Sequence, residues 1–194
     1  TESKIFIMSS DKDFIQLVDD RIAVWSPTKK KLYFKDGVME DYKVPAHNYL
    51  LYRTLTGDKS DNIPGIRGTG IATLQKRLPI LFSDEAVTID KLVEECQDSK
   101  IKVMQTISES KEAIELNYQL MQLSDVDISG SSKSKIMHVV YNAMSRMNTT
   151  KFKVMMIEDG ITGAFRNLEF WMKERFVRLD AHASTFNKSC KTKV

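Results

Sequence analysis

The sequence predicts a stretch of α/β structure followed by a mostly α-helical region, and three observations carry that reading. Ile5-Phe6-Ile7-Met8 is a short continuous apolar run, the pattern of a strand buried on both faces of a parallel sheet. Asp58-Lys59-Ser60-Asp61-Asn62-Ile63-Pro64-Gly65-Ile66-Arg67-Gly68-Thr69-Gly70 sets two carboxylates three apart and follows them with a glycine-rich hairpin. From Ile71 onward the apolar residues recur at helical spacing to the end of the patterned region.

The first strand stops at Ser9-Ser10-Asp11-Lys12-Asp13, after which Phe14, Leu17 and Val18 fall at helical spacing and predict a short helix over 12–18. Residues 21–25 read as a second strand, Ser26-Pro27 as a turn, 31–34 as a brief strand, and Asp36-Gly37 as another turn. A single helical turn is expected over 38–42. Pro45 opens the next helix, whose apolar face holds Tyr49, Tyr52 and Leu55. Ile71, Leu74, Leu78 and Leu81 then form one face, and Thr88 caps a helix carrying Ile89, Leu92 and Val93. Further helical groups run through Ile101, Met104 and Ile107 and through Ile114, Leu116, Tyr118 and Met121. A polar break covers 124–132. The last groups are Ile136, Val140 and Met144, residues 151–158, and Phe165, Leu168, Met172 and Phe176. Residues 180–194 are polar and expected to fray.

Composition narrows the function. With 194 residues, 42% hydrophobic and 28% charged, the chain is of the soluble globular class and long enough for a real core. No apolar run approaches a membrane span, so no membrane partner is expected. Two cysteines in unrelated contexts, Cys96 and Cys190, give no disulfide framework, which fits a reducing cytoplasm. His47, His138 and His182 are scattered and make no zinc site, and the 10 methionines sit at helical spacing as core filler. A net charge of +3 means that any nucleic-acid grip rests on local basic patches. Lys29-Lys30-Lys31 and the tail residues Lys188, Lys191 and Lys193 are weak candidates, each as readily a solvated surface.

Chemistry concentrates in the acids and glycines. Ligands of open α/β sheets bind beyond the carboxyl ends of strands, where Asp11 and Asp13 lie. The alternative for one of them is a helix cap. Asp58 and Asp61 offer hard oxygen donors, and bringing all four aspartates together would require a cation among them. Read from turn statistics alone, Asp58 and Asp61 are as readily solvated turn residues. Glycines before a helix N-terminus let backbone amides approach a phosphate without a Cβ in the way.

Ser10-Asp11-Lys12-Asp13-Phe14-Ile15-Gln16-Leu17 and Tyr52-Arg53-Thr54-Leu55-Thr56-Gly57-Asp58-Lys59-Ser60-Asp61-Asn62-Ile63-Pro64-Gly65 together resemble the flap endonuclease and 5′–3′ exonuclease family, in order and in separation. That family includes the 5′-nuclease domain of bacterial DNA polymerase I and the phage enzyme called ribonuclease H. The likeness is dense over 4–82 and thins to a helical pattern beyond about residue 125.

The resemblance implies an α/β remnant of a parallel-sheet, PIN-like nuclease domain over 1–50. A helix–three-turn–helix DNA-binding domain follows over 51–125, then C-terminal helices over 126–179 and a flexible tail over 180–194. It implies Mg²⁺- or Mn²⁺-dependent hydrolysis by two metals about 4 Å apart. Asp11, Asp13 and Asp61 match ligands of the second metal, and Asp58 a further acidic position. Acids of the first metal would belong to an N-terminal half not in this sequence, supplied in cis or as a separate chain. Gly65, Arg67, Gly68, Thr69, Gly70, Thr73, Lys76 and Arg77 would meet the DNA backbone, with K⁺ held at the hairpin carbonyls. One departure stands out: Ala72 occupies a slot where the family commonly has lysine. The implied substrate is duplex or branched DNA with a 5′ end, or an RNA–DNA hybrid, in replication or repair. The alternative is a non-catalytic duplex-binding module or the subunit of a split nuclease.

Overall fold

The computed structural model describes residues 3–125, 127–142 and 147–191, with side chains as far as 185. The chain divides into two units, Thr1–Val126 and Asp127–Val194.

In the first unit, β1 (Ile5–Met8) pairs in parallel with β2 (Ile22–Ser26), in the register Ile5 to Ile22 and Met8 to Trp25. Two parallel strands need a long crossover, and residues 9–21 provide it, including a 3₁₀ helix at Lys12–Leu17. β2 then pairs antiparallel with β3 (Lys31–Tyr33) across a tight turn in which Lys30 takes a positive φ of 51°. The sheet is therefore mixed, in the order β1-β2-β3.

The expectation that β1 is buried on both faces is corrected. It is an outer strand among the described residues, and Ile5, Phe6 and Met8 are 46%, 57% and 76% exposed. An apolar run reports what a strand is suited to bury, whether or not anything covers it. The turn expected at Asp36-Gly37 is likewise absent, because both residues lie inside α1 (Lys35–Tyr42), where Asp36 favours the first turn and Val38 is fully buried.

After a 3₁₀ turn at Ala46–Asn48 comes α2 (Tyr49–Thr56), the element on which the site depends. Tyr49 packs into a core with Ile15, Val18, Val24, Tyr33 and Val38. Leu51 and Leu55, on the same helix, pack into a second core with Leu74, Leu78, Leu81, Leu92, Ile107 and Ile114. Tyr52 touches both. A boundary at residue 50 thus falls within a helix that serves both cores.

The second core is enclosed by α3 (Ile71–Arg77), a 3₁₀ turn at Pro79–Phe82, α4 (Ile89–Gln97), α5 (Lys102–Glu109) and α6 (Lys111–Met121). Thr88 caps α4, its hydroxyl accepting from the Lys91 amide at 3.2 Å. Buried polar side chains stitch these pieces together, as buried polar groups must be satisfied. Asn48 donates to the carbonyls of Leu81 (3.1 Å) and Glu85 (2.9 Å) and accepts from the Val87 amide. Asn117 of α6 donates to the carbonyls of Thr54 (3.0 Å) and Pro64 (2.8 Å).

The second unit contains α7 (Gly130–Tyr141), α8 (Thr149–Glu158) and α9 (Leu168–Lys191). α7 begins inside the expected polar break, because Ser129 caps it by accepting from the Ser132 amide. Phe152 stacks on Trp171 at 6.0 Å and meets Phe176 edge-on at 5.2 Å, beside buried Met156 and Met172. Met144 falls outside the described residues, as do the side chains of Lys188, Cys190, Lys191 and Lys193. The backbone of α9 stays helical through 180–191, where polar composition alone predicts fraying. None of the described helices is long and apolar enough to cross a membrane.

Candidate metal centre

The centre is assembled from the 3₁₀ helix that follows β1 and the loop that follows α2. Asp13 lies in the first turn of the 3₁₀ helix. Gln16 anchors that turn, donating to the carbonyls of Asp13 (2.9 Å) and Met121 (3.0 Å) and accepting from the Leu123 amide. After α2, Asp58 and Ile63 bond reciprocally through their backbones at 2.8 Å and close a tight loop, with Asn62 at φ 57°. Asp58 sits at the base of this loop, 3% exposed, and Asp61 is exposed at its tip.

Two glycines make the loop possible. Gly57, at φ +73°, faces Gly65 so closely that a Cβ on it would lie 2.3 Å from the Gly65 nitrogen. A Cβ on Gly65 would lie 2.3 Å from the Thr56 carbonyl oxygen. The Ile66 amide then donates to Leu55 at 2.7 Å, pinning the hairpin to the end of α2.

Asp13, Asp58 and Asp61 each bring one carboxylate oxygen within 4.8 Å of the others. Asp11 is not in that group; its carboxylate caps the 3₁₀ helix by accepting from the Asp13 amide at 2.9 Å. One Asp11 oxygen thus serves as a cap, while Asp13, Asp58 and Asp61 converge. A cleft of ≈ 550 Å³ lined by Asp58, Lys59, Asn62, Ile63 and Pro64 opens beside them.

Two cations enter the cluster. Arg53 of α2, its side chain 12% exposed, pairs with Asp58, approaches Asp13 at 3.4 Å and donates to the Gly57 carbonyl at 3.2 Å. Lys12 reaches Asp58 at 2.9 Å. Burial disfavours the charged form of Asp58, but hydrogen bonds from Ser60 and Lys12, with the Arg53 charge, outweigh it and hold the carboxyl well below the usual range. Asp13 moves the other way: burial raises its pKa, Arg53 opposes, and Asp11, Asp58 and Asp61 add repulsion. The residues reading the sequence missed are thus Arg53, Lys12, Ser60 and Gln16. Arg53 carried a signal, since it lies four residues after Tyr49 on the inward face of α2, and a charge placed there needs a partner.

The hairpin candidates separate into two kinds. Gly68 (φ +90°) and Gly70 are exposed, and Gly70 has nothing within 4 Å of where a Cβ would stand. Arg67, Lys76 and Arg77 are exposed and Thr73 half-buried on the same stretch. Thr69 differs. It is 4% exposed, and its hydroxyl donates within the hairpin to the carbonyls of Leu55 and Ile66, both at 2.6 Å, which removes it as a side-chain contact. Gly65 serves close backbone packing. In the Lys29-Lys30-Lys31 run, Lys31 is paired with Glu40 and Asp41, and Lys29 lies over the rings of Tyr33 and Tyr42.

No protein-family model matches the chain. A 5′–3′ exonuclease of Aquifex aeolicus (strain VF5) is 33% identical over 133 residues, which is 67% of this chain and 43% of that protein. The thermostable DNA polymerase I of Thermus filiformis is 40% identical over 75 residues, 39% of this chain and 9% of the polymerase. A solved mutant of the T5 5′-exonuclease shares the fold with a TM-score of 0.51 at 20% identity, over 61% of this chain and 47% of that one. The chain belongs to the flap endonuclease and 5′–3′ exonuclease family. It spans less than half the length of the Aquifex family member. The family motifs quoted from the sequence coincide with the two segments that converge here, 10–17 and 52–65.

Proposed function

We propose that this chain carries a divalent-metal site and a duplex-gripping surface of a structure-specific 5′ nuclease acting on DNA. The observation that supports this best is the approach of Asp13, Asp58 and Asp61 to within 4.8 Å, from segments more than forty residues apart, beside a glycine hairpin. The donor set fits a hard cation: carboxylate oxygens alone, one of them at an exposed loop tip. Mg²⁺ or Mn²⁺ suits it, as small hard ions that take carboxylate oxygens together with waters. Such an ion supplies water activation and charge neutralisation at a scissile phosphate.

The chain's own residues do the positioning. Asp13, Asp58 and Asp61 offer oxygens to the ion, and Asp58, held by Ser60 and Arg53, also fixes the loop that presents Asp61. The exposed hairpin, Gly68 and Gly70 with Arg67, Lys76 and Arg77 beside them, suits backbone phosphates and holds a duplex without reading its sequence. K⁺ at the hairpin carbonyls and an RNA–DNA hybrid as substrate belong to the same reading. Among the described residues no other group of acids converges this closely, so a two-metal reaction would take further carboxylates from a segment supplied in cis or in trans.

Cleavage of a 5′-flapped duplex in Mg²⁺, by the protein that contains this chain, tests the proposal. Loss of residues merely supporting a metal ligand costs about 10–100-fold, so Asp13→Asn or Asp61→Asn should cost more than that while duplex binding persists. Normal turnover in either variant rejects the assignment.

A further inference from the structure

We infer that Lys12 is a displaceable counter-cation of the acidic centre: its ammonium holds Asp58 until a divalent ion arrives, then yields that carboxylate. The inference rests on the metal reading above and adds a device that regulates it.

Asp58 has no free acceptor position. Its Oδ1 accepts from the Ser60 amide (2.8 Å) and the Ser60 hydroxyl (2.5 Å). Its Oδ2 accepts from Arg53 and is ion-paired with the Lys12 ammonium at 2.9 Å. An ionised carboxylate offers about four such positions, and all are filled. For Asp58 to turn an oxygen toward the point it shares with Asp13 and Asp61, one donor must leave.

The four donors are unequal. Both Ser60 bonds are part of the closed loop. Arg53 is nearly buried, also contacts Gly57 and Asp13, and its Nε has no hydrogen-bond partner, so it cannot depart without stranding a buried charge. Lys12 is different. Its side chain is 42% exposed, and among the described residues its ion pair is with Asp58 alone. A lysine stem is long and flexible, and an ammonium released there stays between Asp11 and Asp13 in the chain, next to the centre. Lys12 is therefore the donor that a metal ion displaces.

Mn²⁺ titration of the 194-residue chain tests this, followed by electron paramagnetic resonance of the free ion. Lys12→Met keeps the stem and removes the competitor. It should bind Mn²⁺ about two- to fivefold more tightly, the worth of a partly exposed ion pair. Lys12→Arg keeps the charge but grips a carboxylate as a fork, so it should bind more weakly than the parent, whereas a mere through-space charge effect would leave Arg and Lys equal. In the parent, Mn²⁺ should also speed acetylation of Lys12 by acetic anhydride, read by mass spectrometry. Unchanged affinity in Lys12→Met, equal affinity in Lys12→Arg, or unchanged acetylation overturns the inference while leaving the metal site intact. Failure of all three proteins to bind Mn²⁺ refutes the metal reading and this inference with it.

Discussion

Gly65→Ala is expected to destabilise the first unit by more than about 4 kcal/mol, at the far end of what single substitutions do. The added Cβ would lie 2.3 Å from the Thr56 oxygen, 2.5 Å from the Thr56 carbon and 2.9 Å from the Leu55 oxygen. All three are backbone atoms at the end of α2, so no side chain can swing aside. Relief requires the hairpin to lift, which breaks the Ile66-to-Leu55 bond and opens the reciprocal pairing of Asp58 with Ile63. Gly70→Ala is the control: nothing stands within 4 Å of its Cβ and its φ is −63°, so its effect should stay within about 0.5 kcal/mol. Urea unfolding midpoints of the two variants, at equal slope, give the comparison.

Asp58→Ala should cost about 3–5 kcal/mol in the metal-free protein, because it leaves Arg53 charged, nearly buried and without its main partner. Replacing both, as Asp58→Leu with Arg53→Met, should recover much of that loss. The pH dependence has a definite sign. The Asp58 carboxyl is held below its unfolded value, so its stabilisation is present above about pH 4 and is lost as the pH falls further. Asp13 is raised, so its ionisation works against the folded state as the pH rises, and Asp13→Asn should be neutral or stabilising without metal. Opposite responses from two aspartates of one cluster, measured by denaturation across pH 3–7, would be hard to obtain from surface acids.

Much of this was legible before any coordinates. Apolar spacing located α3 through α6, and the spacing of acids and glycines located the loop after α2, because turn chemistry and helical periodicity are local properties. What the sequence hid was partnership. Asp11 and Asp13 look alike as i, i+2 acids, yet the amide of Asp13 claims Asp11 as a cap and only Asp13 joins the cluster. Thr69 resembles a phosphate contact until the hairpin folds its hydroxyl onto Leu55 and Ile66. β1 has the composition of an inner strand and the position of an outer one. Lys12 and Arg53 are unremarkable in a chain with 29 basic residues; their meaning comes from meeting at one carboxylate oxygen.

The central claim is that Asp13, Asp58 and Asp61 share a divalent ion. Anomalous diffraction from crystals soaked in Mn²⁺ locates such an ion directly. The account predicts a peak with oxygens of Asp13, Asp58 and Asp61 at about 2.1 Å, the coordination distance of a Mg²⁺-type site, and no peak there in Asp61→Asn. A parent crystal at saturating Mn²⁺ with no anomalous density among these three carboxylates would contradict it.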